Sequence, residues 1–489
     1  MNSRIPGAAQ FSGKRVAVLG LGLSGQAAIQ ALLDHTEAIV SAWDGRSQAL
    51  SQCAAISEHQ LDCGSHDDPA QLVQLIQCWQ PDEVVISPAF EQTGIVWQVL
   101  RAAGIRVYSE IELAWQLRAV DDAGNYAPWL CVTGTNGKTT TVSMLAHILN
   151  AAGLRAQAIG NVGNPAVSAV SDCSAQAAQA FAVELSSFQL AATQSLAAHA
   201  AVCLNFADDH LEWHGSREEY LAAKARIFQR ADHVLMPVSD PYVAQMVAMH
   251  VPDDVRCIGL SLGAPAAYQM GIVEELVLDR VYAPGAPENA EVLFTFDDIR
   301  HLSPEGALGA HIIQDAIAAA GLARTIGVDS PLISTALRSF QIGHHRIETV
   351  GMVDDVRYID DSKATNAHAA FASLISLDRV VWIVGGQAKG ARFDELVAKV
   401  AHRLRAVVVI GVDQEPWRAA LAQLDVPVTY IAPDSADPMG EAVTAAQGYA
   451  EPGDTVILAP ACASLDQFTS YAERGQRFTA SVEGLVQNG

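Results

Sequence analysis

Short apolar runs alternate with longer stretches of helical character along most of the chain. Continuous apolar runs bounded by turn residues are typical of strands buried on both faces of a sheet. Because helical stretches separate the runs, they predict parallel α/β sheets. The predicted strands cover residues 15–19, 38–43, 83–87, 129–133, 181–185, 201–205, 233–236, 380–384, 406–410, 428–431 and 455–458.

This α/β rhythm begins anew three times, so the pattern predicts three domains. A chain of 489 residues is too long for one ordinary core, and the polar residues 121–125 have the character of a linker. The predicted fold class is α/β. It comprises three domains, over residues 1–122, 123–341 and 342–489.

The composition is that of a globular protein with a strong negative charge. Hydrophobic residues make up 50% of the chain, and the formal net charge is -24, which disfavours nucleic acid and anionic lipid as partners. No apolar stretch is long enough to span a bilayer, and the eight cysteines are scattered without a CxxC pair, which indicates a reduced chain. We therefore expect a cytoplasmic monomer with no nucleic-acid partner and no membrane insertion.

A glycine-rich phosphate loop opens the second predicted domain. Residues 134–140 read Gly-Thr-Asn-Gly-Lys-Thr-Thr between an apolar run and a helical pattern, where backbone N–H groups would hold phosphate oxygens. Lys138 would reach the β and γ phosphates, and the Thr139 hydroxyl would bind Mg²⁺. Val132 stands where a full Walker loop has its first glycine. The loop consists of Gly134, Thr135, Asn136, Gly137, Lys138, Thr139 and Thr140.

A second glycine loop follows the first predicted strand. Gly20, Gly22 and Gly25 match the spacing of a dinucleotide fingerprint, and Asp44 lies at the end of the next strand. This motif predicts a bound ligand. From the motif alone the ligand could be NAD, a flavin or a UDP-sugar.

Acidic and basic residues follow the strands beside the phosphate loop. Glu184 ends one strand-like run, and residues 208–210 (Asp-Asp-His) follow another; carboxyl ends of parallel strands are suitable places for a Mg²⁺ ligand. An N-cap aspartate and a surface histidine are the structural alternatives at residues 208–210. Lys224 lies in a helical pattern over residues 218–228, and by pattern alone it is interpreted as a solvated lysine.

Taken together, these motifs resemble the Mur ligases of peptidoglycan precursor synthesis. Residues 133–140, 160–163, 184–190 and 209–215 resemble blocks of that family. Residues 361–366 (Asp-Ser-Lys-Ala-Thr-Asn) and 460–468 resemble its D-glutamate-adding branch. The blocks occur in register through all three segments, so the resemblance covers nearly the whole chain. It implies an N-terminal Rossmann-like domain, a central P-loop-type ATPase sheet and a C-terminal Rossmann-like domain.

The resemblance implies an ATP-dependent ligase. It would join D-glutamate to UDP-N-acetylmuramoyl-L-alanine through an acyl phosphate and release ADP and phosphate. It implies ATP and two Mg²⁺ ions as cofactors, with Lys224 carbamylated so that it supplies an oxygen ligand to the metal. The first glycine loop would then hold a uridine diphosphate.

The resemblance also implies a role for individual residues. Lys138, Glu184, His210 and Lys224 would be catalytic, and Thr139, Glu184, His210 and Lys224 would hold metal. The nucleotide would contact the phosphate loop together with Asp315, Arg346 and Asp361. The UDP-substrate would contact Gly22, Leu23, Ser24, Asp44, Arg46, Ser87 and Asn161. The glutamate would contact Thr365, Lys389, Ser464 and Tyr471.

The chain departs from the family pattern near His311. The family has His-Asn-x-x-Asn there, whereas this chain has Ile312 and Asp315 in place of the two asparagines. In the family, those asparagine amides help to bind adenine. A carboxylate in their place can accept a hydrogen bond from the adenine amino group but cannot donate one to N7, as an amide can. We therefore expect weaker or less strict ATP binding. There are two smaller departures. Ala89 stands where the family has a glycine, and Tyr471 stands where another aromatic residue is often seen.

Other functions remain open from the sequence. The nearest is a sister ligase of the same family that adds a different amino acid or L-glutamate. Folate-polyglutamate ligases resemble the central and C-terminal segments but lack a UDP-type glycine loop. An NAD-dependent oxidoreductase and a non-catalytic nucleotide sensor are alternatives from other classes.

Overall fold

The structure of the chain is a computed structural model that describes residues 4–252, 255, 257–303, 308–375 and 377–488, with side chains through residue 485. The strands are β1 Arg15–Leu19, β2 Ile39–Asp44, β3 Asp62–Ser65, β4 Glu83–Ile86, β5 Arg106–Tyr108, β6 Trp129–Thr133, β7 Ala156–Gly160, β8 Ala180–Glu184, β9 Ala200–Cys203, β10 His233–Pro237, β11 Cys257–Leu260, β12 Gln269–Val273, β13 Leu276–Asp279, β14 Glu291–Thr295, β15 Glu348–Val353, β16 Val356–Asp360, β17 Val380–Gly385, β18 Leu404–Ile410, β19 Val428–Tyr430 and β20 Thr455–Leu458.

Helices connect most of these strands. They are α1 Leu23–His35, α2 Ser47–Gln52, α3 Ala54–His59, α4 Pro69–Cys78, α5 Ile95–Ala102, α6 Glu110–Gln116, α7 Lys138–Ala151, α8 Ala166–Val170, α9 Ser187–Ala191, α10 Leu211–His214, α11 Arg217–Ala225, α12 Pro241–His250, α13 Ala310–Thr325, α14 Ser330–Ser339, α15 Ala367–Leu374, α16 Asp394–Val400, α17 Glu415–Leu421, α18 Pro438–Tyr449 and α19 Tyr471–Asn488. Every predicted strand falls on an observed one.

The N-terminal sheet has five parallel strands in the order β3-β2-β1-β4-β5. In chain order, β2 and β3 are added to one side of β1, whereas β4 and β5 are added to the other side. The strand order therefore reverses between β1 and β4. In doubly wound sheets, ligands bind outside the carboxyl ends of the strands at that reversal. The first glycine loop follows β1 and thus lies at the expected place.

The central sheet has nine strands in the order β14-β13-β12-β11-β10-β9-β6-β8-β7. From β11 to β7 all neighbours are parallel, and β6 lies between β9 and β8. The loops that follow β6, β8 and β9 therefore leave the same edge of the sheet. Strands β12, β13 and β14 add an antiparallel edge, which the sequence analysis did not predict.

The third sheet has six strands in the order β15-β16-β20-β17-β18-β19. Its strands are parallel except for the pair β15 and β16. Strands β17 and β20 are buried throughout, and β18 is buried except at Arg405, because helices cover both faces, as is usual for parallel sheets. The predicted α/β fold class with three domains is confirmed.

By compactness the chain divides into two units. The first contains residues 1–298 and 314–340, and therefore both the N-terminal and the central sheet; the second contains residues 299–313 and 341–489. Within the described residues, no helix has both the length and the apolar character needed to cross a membrane.

Candidate functional site

The phosphate loop joins the buried strand β6 to the 14-residue helix α7. Two of its glycines are required by conformation: φ is +151° at Gly134 and +83° at Gly137, a region that residues with a Cβ rarely adopt. A Cβ built on Gly137 would lie 2.3 Å from Oδ1 of Asp315. The loop therefore brings the start of α7, and its backbone N–H groups, to the carboxyl edge of the central sheet.

Asn205, which the sequence analysis did not single out, holds this loop in shape. Its Oδ1 accepts hydrogen bonds from the N–H groups of Thr135 (3.1 Å) and Asn136 (2.9 Å), and its Nδ2 donates to the Asn136 carbonyl (3.2 Å). The only sequence signal was its position just after an apolar run. Because Asn205 follows β9, the strand beside β6, the two neighbouring strands together fix the loop.

Two lysines contact the carbonyls of the phosphate loop. Lys138 Nζ donates to the carbonyls of Gly134 and Thr135, both at 2.8 Å. Lys224 Nζ also donates to the Gly134 carbonyl at 2.8 Å. Lys224 is only 1% exposed, so its interpretation as a solvated lysine was wrong. The reason is that α11 is polar only in its first turn, and its later residues, including Lys224, are buried.

Burial makes Lys224 an unusual lysine. Desolvation lowers its pKa to about 7, and the neighbouring charge of Lys138 acts in the same direction. A large fraction of its amine is therefore neutral near pH 7. A neutral amine is a nucleophile, whereas an ammonium group is not.

Glu184 is a buried carboxylate at the end of β8, paired in the sheet with Val132 of β6. Its Oε1 accepts a hydrogen bond of 2.8 Å from Nδ2 of Asn161. Its Oε2 has no hydrogen-bond partner within the part of the chain that is described. A buried carboxylate oxygen without a partner is costly in a finished structure. The Glu184 oxygen is suited to a hard cation, which prefers oxygen ligands. Thr139, in the first turn of α7, offers a hydroxyl oxygen that such a cation can also bind.

His210 precedes α10 in a left-handed conformation, with φ of +54°. Its Nε2 lies 3.5 Å from Oδ2 of Asp209, and its ring centroid lies 4.8 Å from that of Phe188. Phe188 belongs to α9, which follows Glu184. The loops after β8 and β9 are therefore packed together through this aromatic ring.

His214 is the last residue of α10, and the sequence analysis did not select it. It is buried, and its Nε2 lies 2.9 Å from Oγ of Ser187. Burial lowers its pKa to about 4, and the charges of Lys224 and His210 act in the same direction. His214 is therefore neutral at physiological pH.

The first glycine loop is closely packed. A Cβ at Gly20 would lie 2.4 Å from Cβ of Ser87, so the loops after β1 and β4 approach each other. Oδ2 of Asp44 accepts from the N–H of Leu21 (2.7 Å), while its Oδ1 accepts from the N–H of Arg46 (2.9 Å). Asp44 therefore shapes the loop itself.

Gly22, Leu23 and Ser24 lie at the end of this loop, whereas Asn161 follows β7 of the central sheet and donates to Glu184. Helix α1 begins at Leu23, with Gly22 as its N-cap and no side chain capping it. Leu23 is 83% exposed, and Ser24 is half-buried. A helix N-terminus without a side-chain cap leaves N–H groups that can bind phosphate.

In the second unit, Asp361 lies just after β16 and is buried. The Ser373 hydroxyl donates to its Oδ2, and the N–H of Ile347 donates to its Oδ1 at 3.4 Å. Burial raises the pKa of Asp361 to about 7, although the Arg346 charge acts in the opposite direction. Arg346 and Asp361, both predicted to contact nucleotide, are thus close enough to interact.

Arg474 connects two loops of the second unit, and the sequence analysis missed it. Its Nε and Nη2 donate to Oγ and the carbonyl of Ser362 (2.9 and 2.8 Å), and its Nη1 donates to the Cys462 carbonyl (3.1 Å). The guanidinium is fully buried, and desolvation lowers its pKa to about 10. The two loops it joins carry Thr365 and Ser464.

The predicted glutamate residues differ in exposure. Ser464 is buried, Thr365 is half-buried, and Lys389 is exposed with a left-handed φ of +51°. Tyr471 begins α19, and Nζ of Lys363 lies 3.7 Å from its ring centroid. Polar and cationic groups thus lie around the loops that follow β16, β17 and β20.

Parallel sheets with a glycine-rich phosphate loop at the carboxyl edge of the central one define the class of nucleotide-binding α/β proteins. Two family models match the chain: the Mur ligase middle domain over residues 132–323, and the Mur ligase glutamate ligase domain over residues 345–462. The chain belongs to the Mur ligase family. The family resemblance drawn from the sequence is therefore confirmed.

Curated relatives align with the chain over nearly its full length. A UDP-N-acetylmuramoylalanine–D-glutamate ligase of Streptomyces coelicolor is 44% identical over 484 residues, covering 97% of this chain and 99% of the relative. A protein of the same name from Thermobifida fusca is 41% identical, covering 98% and 100%. A murein peptide ligase structure from Psychrobacter arcticus has a TM-score of 0.53 at 18% identity, covering 96% and 99%; it supports the fold alone.

Proposed function

We propose that this chain is the ATP-dependent ligase that joins D-glutamate to UDP-N-acetylmuramoyl-L-alanine. Curated relatives that align with nearly the whole length of the chain are named for that activity. The structural observation that carries the proposal is the burial of Lys224 against the phosphate loop, 2.8 Å from the Gly134 carbonyl. A phosphate-binding loop that served only to sense a nucleotide would not need a second, desolvated lysine there.

The reaction begins with transfer of the γ-phosphoryl group of ATP to the terminal carboxylate of the UDP-substrate. The phosphate loop and Lys138 hold the phosphates and neutralise charge as it moves. The carboxylate thereby becomes an acyl phosphate with a good leaving group. The deprotonated amine of D-glutamate then attacks the carbonyl carbon of the acyl phosphate. The tetrahedral intermediate collapses to an amide and inorganic phosphate.

Two Mg²⁺ ions are part of the proposal, and they would neutralise charge on the transferred phosphoryl group when bound. Glu184 and Thr139 would hold one ion, because Oε2 of Glu184 has no partner among the described residues and the hydroxyl at this position of a phosphate loop is a usual Mg²⁺ ligand. His210 and Lys224 would hold the other. Asn161 donates to Glu184 and would fix the orientation of that carboxylate.

The Lys224 amine would bind metal only after carbamylation. Its neutral form attacks CO₂, forming an N–C bond and releasing one proton, and the product carries a carboxylate. Burial favours the neutral form by lowering the amine pKa to about 7. The carbamate converts a group that repels Mg²⁺ into an oxygen ligand.

The second unit would bind the incoming amino acid. Thr365, Lys389 and Ser464 would contact the two carboxylates of D-glutamate, and Tyr471 would lie beside it. Arg346 and Asp361 would contact the nucleotide. We further propose domain boundaries at residues 122 and 341, a monomeric state and a cytoplasmic location.

The decisive experiment measures phosphate release from ATP with UDP-N-acetylmuramoyl-L-alanine and a panel of single amino acids. We expect release with D-glutamate and little with L-glutamate, meso-diaminopimelate, L-lysine or glycine. Equal release with L-glutamate, or release with another amino acid alone, would establish a sister activity instead. Absence of release with every amino acid, despite ATP binding, would favour a nucleotide sensor.

A further inference from the structure

Helix α10 cannot fix its own orientation. It has only four residues, and an isolated turn of helix is unstable. A left-handed residue bounds it at each end, His210 with φ of +54° and Gly215 with φ of +85°. The position of α10, and of the His210 side chain at its start, is therefore set by what the helix packs against.

Trp213 packs α10 on the central domain, together with His214, whose Nε2 lies 2.9 Å from Oγ of Ser187. The Trp213 ring centroid lies 4.6 Å from that of Phe188 and 4.6 Å from that of His214. Phe188 in turn lies 4.8 Å from the His210 ring. These aromatic contacts connect α10 to α9, which follows the carboxylate of Glu184.

Trp213 also connects α10 to the N-terminal domain. Its indole Nε1 donates a hydrogen bond of 3.2 Å to the carbonyl of Pro88. Pro88 follows Ser87, which lies against Gly20 of the first glycine loop. At the other end of the helix, a Cβ on Gly215 would lie 3.1 Å from Cγ2 of Thr93. The loop after β4 and the helix after His210 are therefore in contact at two points.

The loop after β4 is also fixed from within its own domain. The indole of Trp97 donates to the Phe90 carbonyl at 2.9 Å, and the Trp97 side chain is buried. A displacement of Ser87 by a bound ligand would therefore be passed to Pro88 and across the hydrogen bond to Trp213. Such transmission needs a continuous set of packed groups, which these contacts supply.

We infer that Trp213 is a positioning residue that couples the loop after β4, where the UDP-substrate would bind, to His210 at the start of α10, where metal would bind, so that ligand at one site raises affinity at the other. The inference rests on the proposed function, because it takes the roles of Ser87 and His210 from there. Coupling between two binding sites is reciprocal. The UDP-substrate must therefore raise metal–nucleotide affinity by the same factor by which metal–nucleotide raises UDP-substrate affinity.

The test measures this factor in both directions. Titration calorimetry gives the Kd of UDP-N-acetylmuramoyl-L-alanine in the presence of a non-hydrolysable ATP analogue, with and without Mn²⁺. Electron paramagnetic resonance gives the Mn²⁺ affinity in the presence of the analogue, with and without the UDP-substrate. For the wild type we expect a factor of about 10 in both measurements.

Trp213→Phe keeps an aromatic ring and removes the N–H donor. We expect its coupling factor to fall to about 2 or less, while the affinity for the UDP-substrate alone changes little. Gln92→Leu is the matched control. Gln92 Nε2 donates to the Ala191 carbonyl at 3.3 Å, a bond between the same two domains that does not involve α10, so its coupling factor should stay at the wild-type value.

Three results would overturn the inference: no coupling in the wild type, full coupling in Trp213→Phe, or an equal loss in Gln92→Leu. If Trp213→Phe fails to fold, Trp213→Met serves in its place, because methionine lacks the donor and adapts its shape to the gap. The inference uses the proposed function only through UDP-substrate binding and metal binding: a wild type that does not bind UDP-N-acetylmuramoyl-L-alanine would count against the proposed function, whereas binding of both ligands without coupling would count against the inference alone.

Discussion

At the scale of single residues, the central feature is a lysine with almost no contact with solvent. Lys224 lies beside another cation, Lys138, and both donate to the Gly134 carbonyl. Its position in the helical pattern gave no sign of this, because burial on α11 depends on the neighbouring helices α9, α10 and α12 that pack against it. The family resemblance, not the pattern, identified Lys224 as functional.

Replacing Lys224 should test its role as a ligand. We expect Lys224→Ala to lose most of the ligase activity, at least about 100-fold, because loss of a group that only orients a metal ligand already costs about 10- to 100-fold. Acetate or another short carboxylate should restore part of it by supplying the missing oxygen ligand. Lys399→Ala, at an exposed lysine paired with Glu395, is the control. Full activity of Lys224→Ala without acetate would rule out the carbamate role.

Asp315 gives a second prediction at this scale. Its buried carboxylate lies against Gly137, at the start of α7 where the phosphates would bind. Asp315→Asn removes a negative charge there and restores an amide that can both donate and accept. We expect the ATP KM to fall several-fold, roughly 3- to 10-fold.

The origin of that effect can be separated with a second ligand. Inorganic triphosphate carries the charge of ATP but no base. If charge repulsion dominates, Asp315→Asn should tighten triphosphate and ATP equally; if base recognition dominates, only ATP should gain. An unchanged or raised ATP KM would contradict the prediction.

At the scale of elements, helices α6 and α8 meet through a buried carboxylate. Oε1 of Glu110 on α6 accepts from the N–H of Val167 in the first turn of α8, at 2.6 Å. Its Oε2 has no partner among the residues that the structure describes. Burial raises the Glu110 pKa to about 7, although the backbone N–H groups act in the opposite direction.

This raised pKa predicts a pH-dependent stability. Between pH about 4.5 and 7 the folded state holds the Glu110 proton more tightly than the unfolded state. The stabilising contribution is therefore present below the unfolded pKa and is lost as pH rises through about 7. Glutamine at this position does not titrate. The stability of wild type relative to Glu110→Gln should thus fall by up to roughly 3 kcal/mol between pH 4 and pH 8.

Urea unfolding of both proteins across this pH range measures the difference, and other titrating groups cancel in the comparison. A difference that does not change with pH would show that Glu110 titrates normally. A difference that grows in favour of wild type at high pH would show that the backbone N–H groups outweigh burial.

The elements also show what the sequence could and could not predict. Buried parallel strands such as β1, β6 and β17 were found because both faces are apolar and the run is continuous. Exposed or antiparallel strands such as β3 and β14 were missed, since their residues mix polar and apolar character. Arg474 was missed for a different reason: a single arginine in a helix carries no sign that two distant loops will surround it.

At the scale of the whole molecule, the chain consists of two compact units that carry different proposed ligands. The first contains the phosphate loop and the first glycine loop, and the second contains the proposed glutamate residues. Multidomain chains often unfold in more than one step. A ligand that binds a folded unit stabilises that unit by about 2.7 kcal/mol at a hundredfold excess over Kd.

Calorimetric melting should therefore respond selectively to each ligand. UDP-N-acetylmuramoyl-L-alanine alone should raise the transition of the first unit and leave that of the second unchanged. D-Glutamate alone should not raise the transition of the first unit. NAD added alone is the control for the first glycine loop and should shift neither melting transition. A shift of the first unit's transition by NAD would point to the oxidoreductase alternative.

The hydrogen bonds of Asn205 have a consequence for inhibitor design. They fix the backbone of the phosphate loop from an adjoining strand, so a ligand does not have to order the loop when it binds. Preorganised sites retain more of their contact energy as affinity. Small phosphate mimics, even fragments the size of pyrophosphate, should consequently show high affinity per atom here. Such fragments would be efficient starting points from which larger ligands could be grown.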